Sequence, residues 1–269
     1  MSTPLGSPVN EVILSIAFPR NEALSGPFLG ATVGDLLNKF PKVEQQAPYE
    51  MPLEFPLAKG TLGVTSPQGQ FVFSMQPPEP RYWFLSDDEI GLVQLQSNYL
   101  AYNWRRKHET QKYPGYELLA ETFRSLKEGL SSTLERAGRK PVQPSQAELT
   151  YINIISPNEL WSSHREMTRI IDLRFPELTQ AEQVGLRYSK EILDERGSFV
   201  GRIHVLVQPA VNLVSGGPVI NLTIIARSGT LDEDEPESYS TFMQMAHDRI
   251  TDSFKSLTTD DARRVWGIE

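Results

Sequence analysis

The chain has 269 residues, 39% hydrophobic and 22% charged, with a formal net charge of -8 and no cysteine. That length supplies a packed core, and the missing thiols exclude disulfides, thiolate zinc sites, iron–sulfur clusters and cysteine nucleophiles. The acidic balance carries only short basic clusters, such as Arg105-Arg106-Lys107 and Arg263-Arg264, which argues against nucleic acid as the main partner, because that binding draws on the displacement of cations from phosphates.

The first ten residues are small and polar and read as a flexible N-terminus; they lack the basic region and apolar run of a signal peptide. The longest apolar stretches, 12–18, 92–95 and 219–226, fall well short of the roughly 18 residues that cross a bilayer. The expectation is a cytoplasmic protein without membrane contact.

Residues 12–18 are β-rich and end at Pro19. Thr32 is placed to cap a short helix through Phe40, closed by Pro41. Residues 42–80 are rich in proline and read as a long connection holding one or two short strands, one of them near 71–75. Residues 81–85 and 91–96 are strands around a turn at Ser86-Asp87-Asp88, and 99–105 is a third strand or a continuation across Ser97-Asn98. Leu119, Phe123, Leu126, Leu130, Leu134 and Ala137 then form one helical stripe, with Glu121, Arg124, Glu128 and Glu135 on the opposite side. Gly138 stands where a helix end favours positive φ.

Similar signals follow. Residues 148–155 read as a strand, and Asn158 as the cap of a helix to about Arg174, closed by Phe175-Pro176. Strands are predicted at 185–193, 199–208 and 218–227. The acidic stretch 232–236 is a loop. Residues 238–257 form an amphipathic helix burying Phe242, Met245, Ala246, Ile250, Phe254 and Leu257, and Thr258 with Asp261 suggests a capping box for a last turn ending near Trp266.

The order of elements suggests an internal duplication. The segment Leu36-Leu37-Asn38-Lys39-Phe40-Pro41 lines up with Ile171-Asp172-Leu173-Arg174-Phe175-Pro176. The expected fold class is therefore α+β, with two similar β-α-β(n)-α halves at 11–143 and 144–269. Each half would have an antiparallel sheet covered by a long C-terminal helix. Two such units either share one sheet or pack around a pseudo-twofold axis; TATA-box-binding-protein-like and helix-grip arrangements have this order.

The segments Arg81-Tyr82-Trp83-Phe84-Leu85-Ser86, Leu92-Val93-Gln94-Leu95-Gln96, Asn103-Trp104-Arg105 and Tyr113-Pro114-Gly115-Tyr116-Glu117 carry a family resemblance. It continues through Glu148-Leu149-Thr150-Tyr151-Ile152-Asn153 to His247, Phe254, Leu257-Thr258-Thr259 and Trp266-Gly267. In these the chain resembles a sporadically distributed prokaryotic family of uncharacterised proteins of about this length. The resemblance implies no activity. A patchy distribution implies movement between genomes, and with it a role beside mobile elements, phage defence or toxin neutralisation.

Dinucleotide-binding, phosphate-loop, zinc-protease and serine-hydrolase motifs are all missing from the sequence, and His108, His164, His204 and His247 lie far apart. No catalytic residue, metal ligand or cofactor is assigned. The candidate ligand- or partner-binding residues are polar groups on predicted strands. Asn103 and Arg105 face away from a core that takes Tyr102 and Trp104; Tyr151 and Asn153 share one strand face; Arg187 and His204, with Tyr188, Arg202, Glu191 and Gln208, line a polar face of the second meander. For each, the competing reading is structural: an ion pair, a satisfied amide or a solvated strand face. The leading expectation is a non-enzymatic interaction or accessory protein that binds another protein, with a homodimer through a sheet edge as a variant. The alternatives are a small-ligand binder or enzyme with its cavity between sheet and long helix, and a nucleic-acid-binding saddle.

Overall fold

In the computed structural model, which describes residues 6–25, 29–56, 79–108, 110–173, 181–232, 235 and 237–268, β1 (Val9–Ala17) turns Val12, Leu14 and Ile16 to one face and Glu11, Ile13 and Ser15 to the other. Eight further strands follow: β2 (Lys42–Gln46), β3 (Arg81–Leu85), β4 (Gly91–Gln96), β5 (Tyr99–Arg105), β6 (Gln146–Ile155), β7 (Leu186–Leu193), β8 (Phe199–Val211) and β9 (Pro218–Ser228). All nine join one sheet in the order β2-β3-β4-β5-β1-β6-β9-β8-β7, and every pairing is antiparallel.

This corrects the expected division into two β-α-β(n)-α units with a sheet apiece. One continuous sheet forms because β1 pairs with β6 along nearly its whole length, Val12 opposite Tyr151, Leu14 opposite Leu149 and Ile16 opposite Ala147. On its other side the same three residues face Trp104, Tyr102 and Leu100 of β5. Ending either meander at β1 or β6 would leave a row of unpaired backbone N–H and C=O groups beside fully buried side chains, and pairing the two strands removes that cost. Strand accounts for 35% of the described residues and helix for 29%.

A second departure is local. The helix expected from Asn158 to Arg174 is replaced by a bridge between Asn158 and Trp161 and a 3₁₀ turn at His164–Arg169. Trp161 explains it: the ring is 1% exposed, its Nε1 donates to the Ser156 carbonyl at 3.1 Å, and the Asn158 side chain accepts from Leu160 N–H at 2.8 Å. Anchoring the indole in the core bends the chain where a helix would have carried it past. Arg174, Phe175 and Pro176 lie outside the described residues, as do the strand expected at 71–75 and residues 233, 234 and 236 of the acidic loop.

The helices lie on one face. Two short ones, α1 (Leu29–Thr32) and α2 (Gly34–Lys39), stand where one was expected. The long helix α3 (Tyr116–Arg136) buries Tyr116, Leu119, Phe123 and Leu134, with Leu126 and Leu130 partly buried against the same core. Gly138, at φ +69°, ends it: Gly138 N–H bonds Glu135 O and Arg139 N–H bonds Leu134 O, a Schellman arrangement that side chains with a Cβ resist. A second long helix, α4 (Ser238–Leu257), packs on β6 and β9, and α3 packs on β1 and β5. The last helix, α5 (Asp260–Trp266), is capped by Thr259, which accepts from Ala262 N–H, rather than by the expected Thr258. A single apolar core runs under all of them. Among the described residues no helix is long and apolar enough to cross a membrane.

Gly201 shows how tightly α4 is seated. A Cβ there would collide with the Arg227 carbonyl and press on the Phe242 ring. Gly201→Ala should therefore destabilise the fold by roughly 1–3 kcal/mol, as overpacking does. A urea-unfolding midpoint unchanged from wild type would show that the β9 backbone and Phe242 of α4 do not close on Gly201 as described.

Candidate functional site

The face of the sheet away from the helices is unusually polar for a buried surface. Strand alternation puts Glu11, Ser15, Gln94, Asn103, Glu148, Thr150, Arg202, His204 and Arg227 on it. Residues 47–56, which follow β2 and have no regular secondary structure, cross part of this face as a strap. The Gln96 side chain clasps the strap backbone at Tyr49, accepting from its N–H at 2.9 Å and donating to its carbonyl at 3.2 Å. Met51 packs with Tyr99 and Ala101, and the Gln146 amide donates to the Pro52 carbonyl at 3.3 Å.

The strap ends in an ionic knot. Glu54 Oε2 accepts from Arg202 Nε at 3.1 Å; Glu54 Oε1 accepts from Arg227 Nη1 at 3.0 Å and lies 2.6 Å from His204 Nε2. Arg202 Nη2 also donates to the Phe55 carbonyl at 2.9 Å. Behind it, Glu148 accepts from Arg227 Nε at 2.6 Å, and Ser189 Oγ meets His204 Nδ1 at 2.8 Å. Burial pushes the Glu54 carboxyl upward, but His204, Arg227 and Arg202 outweigh that and hold it below its ordinary value. Burial likewise opposes the charge on Arg227, and the Glu148 carboxylate beside it more than restores it.

Next to this knot, a ladder of side chains runs across four strands. Trp83 Nε1 donates to Gln94 Oε1 at 3.2 Å, Gln94 Nε2 to Asn103 Oδ1 at 2.7 Å, and Asn103 Nδ2 to Glu11 Oε1 at 2.6 Å. Asn103 is thus a satisfied rung within the sheet. Arg105 donates through Nη2 to the Glu89 carbonyl at 2.8 Å. Arg187 is exposed on β7, on the same face opposite Leu206.

The other candidate residues lie on the helix face. Tyr151 is 6% exposed; its hydroxyl is 2.8 Å from that of Tyr113 and 3.0 Å from His247 Nδ1. The His247 ring is stacked on Tyr116 at 4.1 Å between centroids. Burial lowers the His247 pKa, favouring the neutral ring, and pushes the Tyr113 hydroxyl up to about 12. Tyr116 also helps line a groove of about 580 Å³ between α3 and α4, with Phe123, Arg124, Tyr239 and Asp248. Asn153 donates to the Leu222 carbonyl at 3.0 Å, and its Oδ1 is buried with no partner among the described residues. The six candidates therefore do not converge: Asn103, Arg105, Arg187 and His204 share one face, Tyr151 and Asn153 the other. Among the described residues no group of three or more His, Asp or Glu side chains is arranged to hold a metal ion.

Glu54, Glu148, Arg227, Gln94, Glu11, Tyr113 and His247 complete these clusters; none stood among the candidate binding residues, although Gln94, Tyr113, Glu148 and His247 lie in the segments that carry the family resemblance. The traceable signal was polar residues at alternate positions of otherwise apolar strands, as at Gln94 and Glu148; Glu54 sits among prolines and carries no pattern. No family model, curated protein or solved structure matches the chain.

Because the folded Glu54 carboxyl is held below its ordinary value of 4.5, its contribution is present above that value and disappears as pH falls through the lowered one. Glu54→Gln should cost roughly 1–3 kcal/mol at neutral pH and flatten the loss of stability between about pH 5 and pH 3. Parallel unfolding profiles of variant and wild type over that range would refute the assignment. Tyr151→Phe strips a partner from both Tyr113 and His247 and should lower stability by about 1–3 kcal/mol; an unchanged urea midpoint would show that those contacts do not hold the cluster together.

Proposed function

We propose that this chain is a non-enzymatic interaction protein of the cytoplasm that binds another protein through the far end of its β8–β9 hairpin. The observation that carries the reading is the exposure of Leu213 and Val214, 98% each, with Val211 at 57% beside them. The hairpin outruns its neighbour: β7 pairs no further along β8 than Val207. Its tip is nevertheless ordered. Asn212 Oδ1 accepts from Val214 N–H at 2.9 Å and Ser215 N–H at 3.1 Å, and Asn212 N–H bonds the Gly217 carbonyl at 2.8 Å. Apolar side chains held out on a pre-ordered turn lose little conformational freedom when a partner covers them, and each is worth roughly 1.5–3 kcal/mol when fully buried.

The polar clusters support the same reading from the other side. Polar side chains of the kind that serve in active sites are engaged with one another: Glu54 with three basic groups, Asn103 in its ladder, Tyr151 between Tyr113 and His247. The net charge of -8 disfavours an anionic lipid surface or nucleic acid as the thing that covers the tip. If the family resemblance holds, the partner is a protein encoded nearby in a mobile or defence-associated locus.

Tagged wild-type protein and a Leu213→Ser/Val214→Ser double variant, each recovered from the native host, provide the test. The expected result is a stoichiometric partner with wild type, its loss with the variant, and an unchanged Tm. A variant that keeps the partner, or a wild-type protein recovered alone and monomeric by sedimentation, would defeat the reading. A concentration-dependent dimer lost in the variant would make the partner a second copy.

A further inference from the structure

Arg202 and Arg227 are directly opposite one another on β8 and β9, with their side chains on the same face. Like charges in that position repel, so the sheet itself calls for an anion between them. His204 projects from the same face two residues along β8, and its side chain is 25% exposed. These three donors stand on hydrogen-bonded strands and owe their placement to the sheet, not to the strap. The anion in the structure, Glu54, arrives from a segment without regular structure, 148 residues away in sequence from Arg202.

We infer that Arg202, Arg227 and His204 form a carboxylate-binding site in which the strap's own Glu54 is the resident occupant, displaceable by a carboxylate from outside. The donor set fits that class. Arg202 serves one carboxylate oxygen, while Arg227 and His204 serve the other. Glu148 behind Arg227 and Glu191 beside Arg202 oppose the two arginines, so the site suits a singly charged carboxylate and disfavours a doubly charged phosphate. Glu191, 3.7 Å from Arg202 Nη2 and 37% exposed, marks the solvent side of the site. A cavity of about 780 Å³ reaches Glu54 and is lined there by Phe55, Pro56 and Phe199. The incoming carboxylate is either a free small acid or an acidic side chain of a peptide segment. The inference is independent of the hairpin reading, since no residue is shared.

Chemical rescue tests it. In Glu54→Ala protein, sodium acetate should raise Tm by roughly 2–4 °C more than sodium chloride at equal ionic strength, with no such difference in wild type or in Glu54→Ala/Arg202→Gln. Tetraglutamate is the second probe: a gain at a carboxylate concentration where acetate is silent assigns the site to acidic segments, and an equal gain assigns it to free carboxylates. Equal responses to chloride, acetate and tetraglutamate would overturn the inference. Should Glu54→Ala not fold, wild-type hydrogen exchange decides: either carboxylate should speed exchange in residues 49–55 at least several-fold over chloride, and unchanged exchange would overturn it.

Discussion

The β1–β6 pairing is the constraint on which the rest of the molecule depends. It turns two antiparallel meanders into one sheet, and it lays Val12, Leu14 and Ile16 against Tyr151, Leu149 and Ala147 in the middle of the core. Both long helices rest on the floor this creates, α3 over β1 and β5, α4 over β6 and β9. The same pairing brings Glu148 into register beside β9, where it neutralises Arg227. Without it there would be two helix-covered sheets, each with a bare edge, and no shared polar face.

The two faces of the sheet solve different physical problems. On the helix face, burial of apolar side chains stabilises the fold, and Tyr113, Tyr151 and His247 satisfy one another, while Asn153 keeps a buried Oδ1 with no partner among the described residues. On the other face the strap brings one carboxylate to three basic groups, a costly device in which removing a single partner strands the rest. Hydrophobic residues of similar volume would hold a strap at least as firmly. That retention of charge is what distinguishes the Glu54 knot from ordinary packing.

Much of the local structure was legible in the residues. The stripe from Leu119 to Leu134 marks α3, the strands at 81–85 and 91–96 fall where the β-rich runs around their turn place them, 99–105 resolves as a third strand, and α4 begins and ends as its periodicity indicates. Alternation also tells which way Tyr102, Trp104, Asn103 and Arg105 point. Four things were not legible. Period-two patterning says which face a side chain takes but not which strand lies alongside, so the β1–β6 junction was hidden and the choice between one shared sheet and two packed units stayed open. The Trp161 anchor overrides a helix signal by tertiary burial, which no local pattern reports. The strand β2, with most of its residues exposed, has too little apolar alternation to stand out, and the Glu54 strap depends on partners some 150 residues away.

The pairing partners of β1 have a kinetic consequence. During synthesis β1 emerges well before β5 and longer still before β6, so its apolar side chains and both backbone edges wait for strands about 90 and 135 residues downstream. Closing such distant contacts is entropically slow, and an unpaired apolar strand is the species most prone to misassociate meanwhile. Nascent chains of this protein should therefore lean on ribosome-associated chaperones until about residue 155 has cleared the exit tunnel.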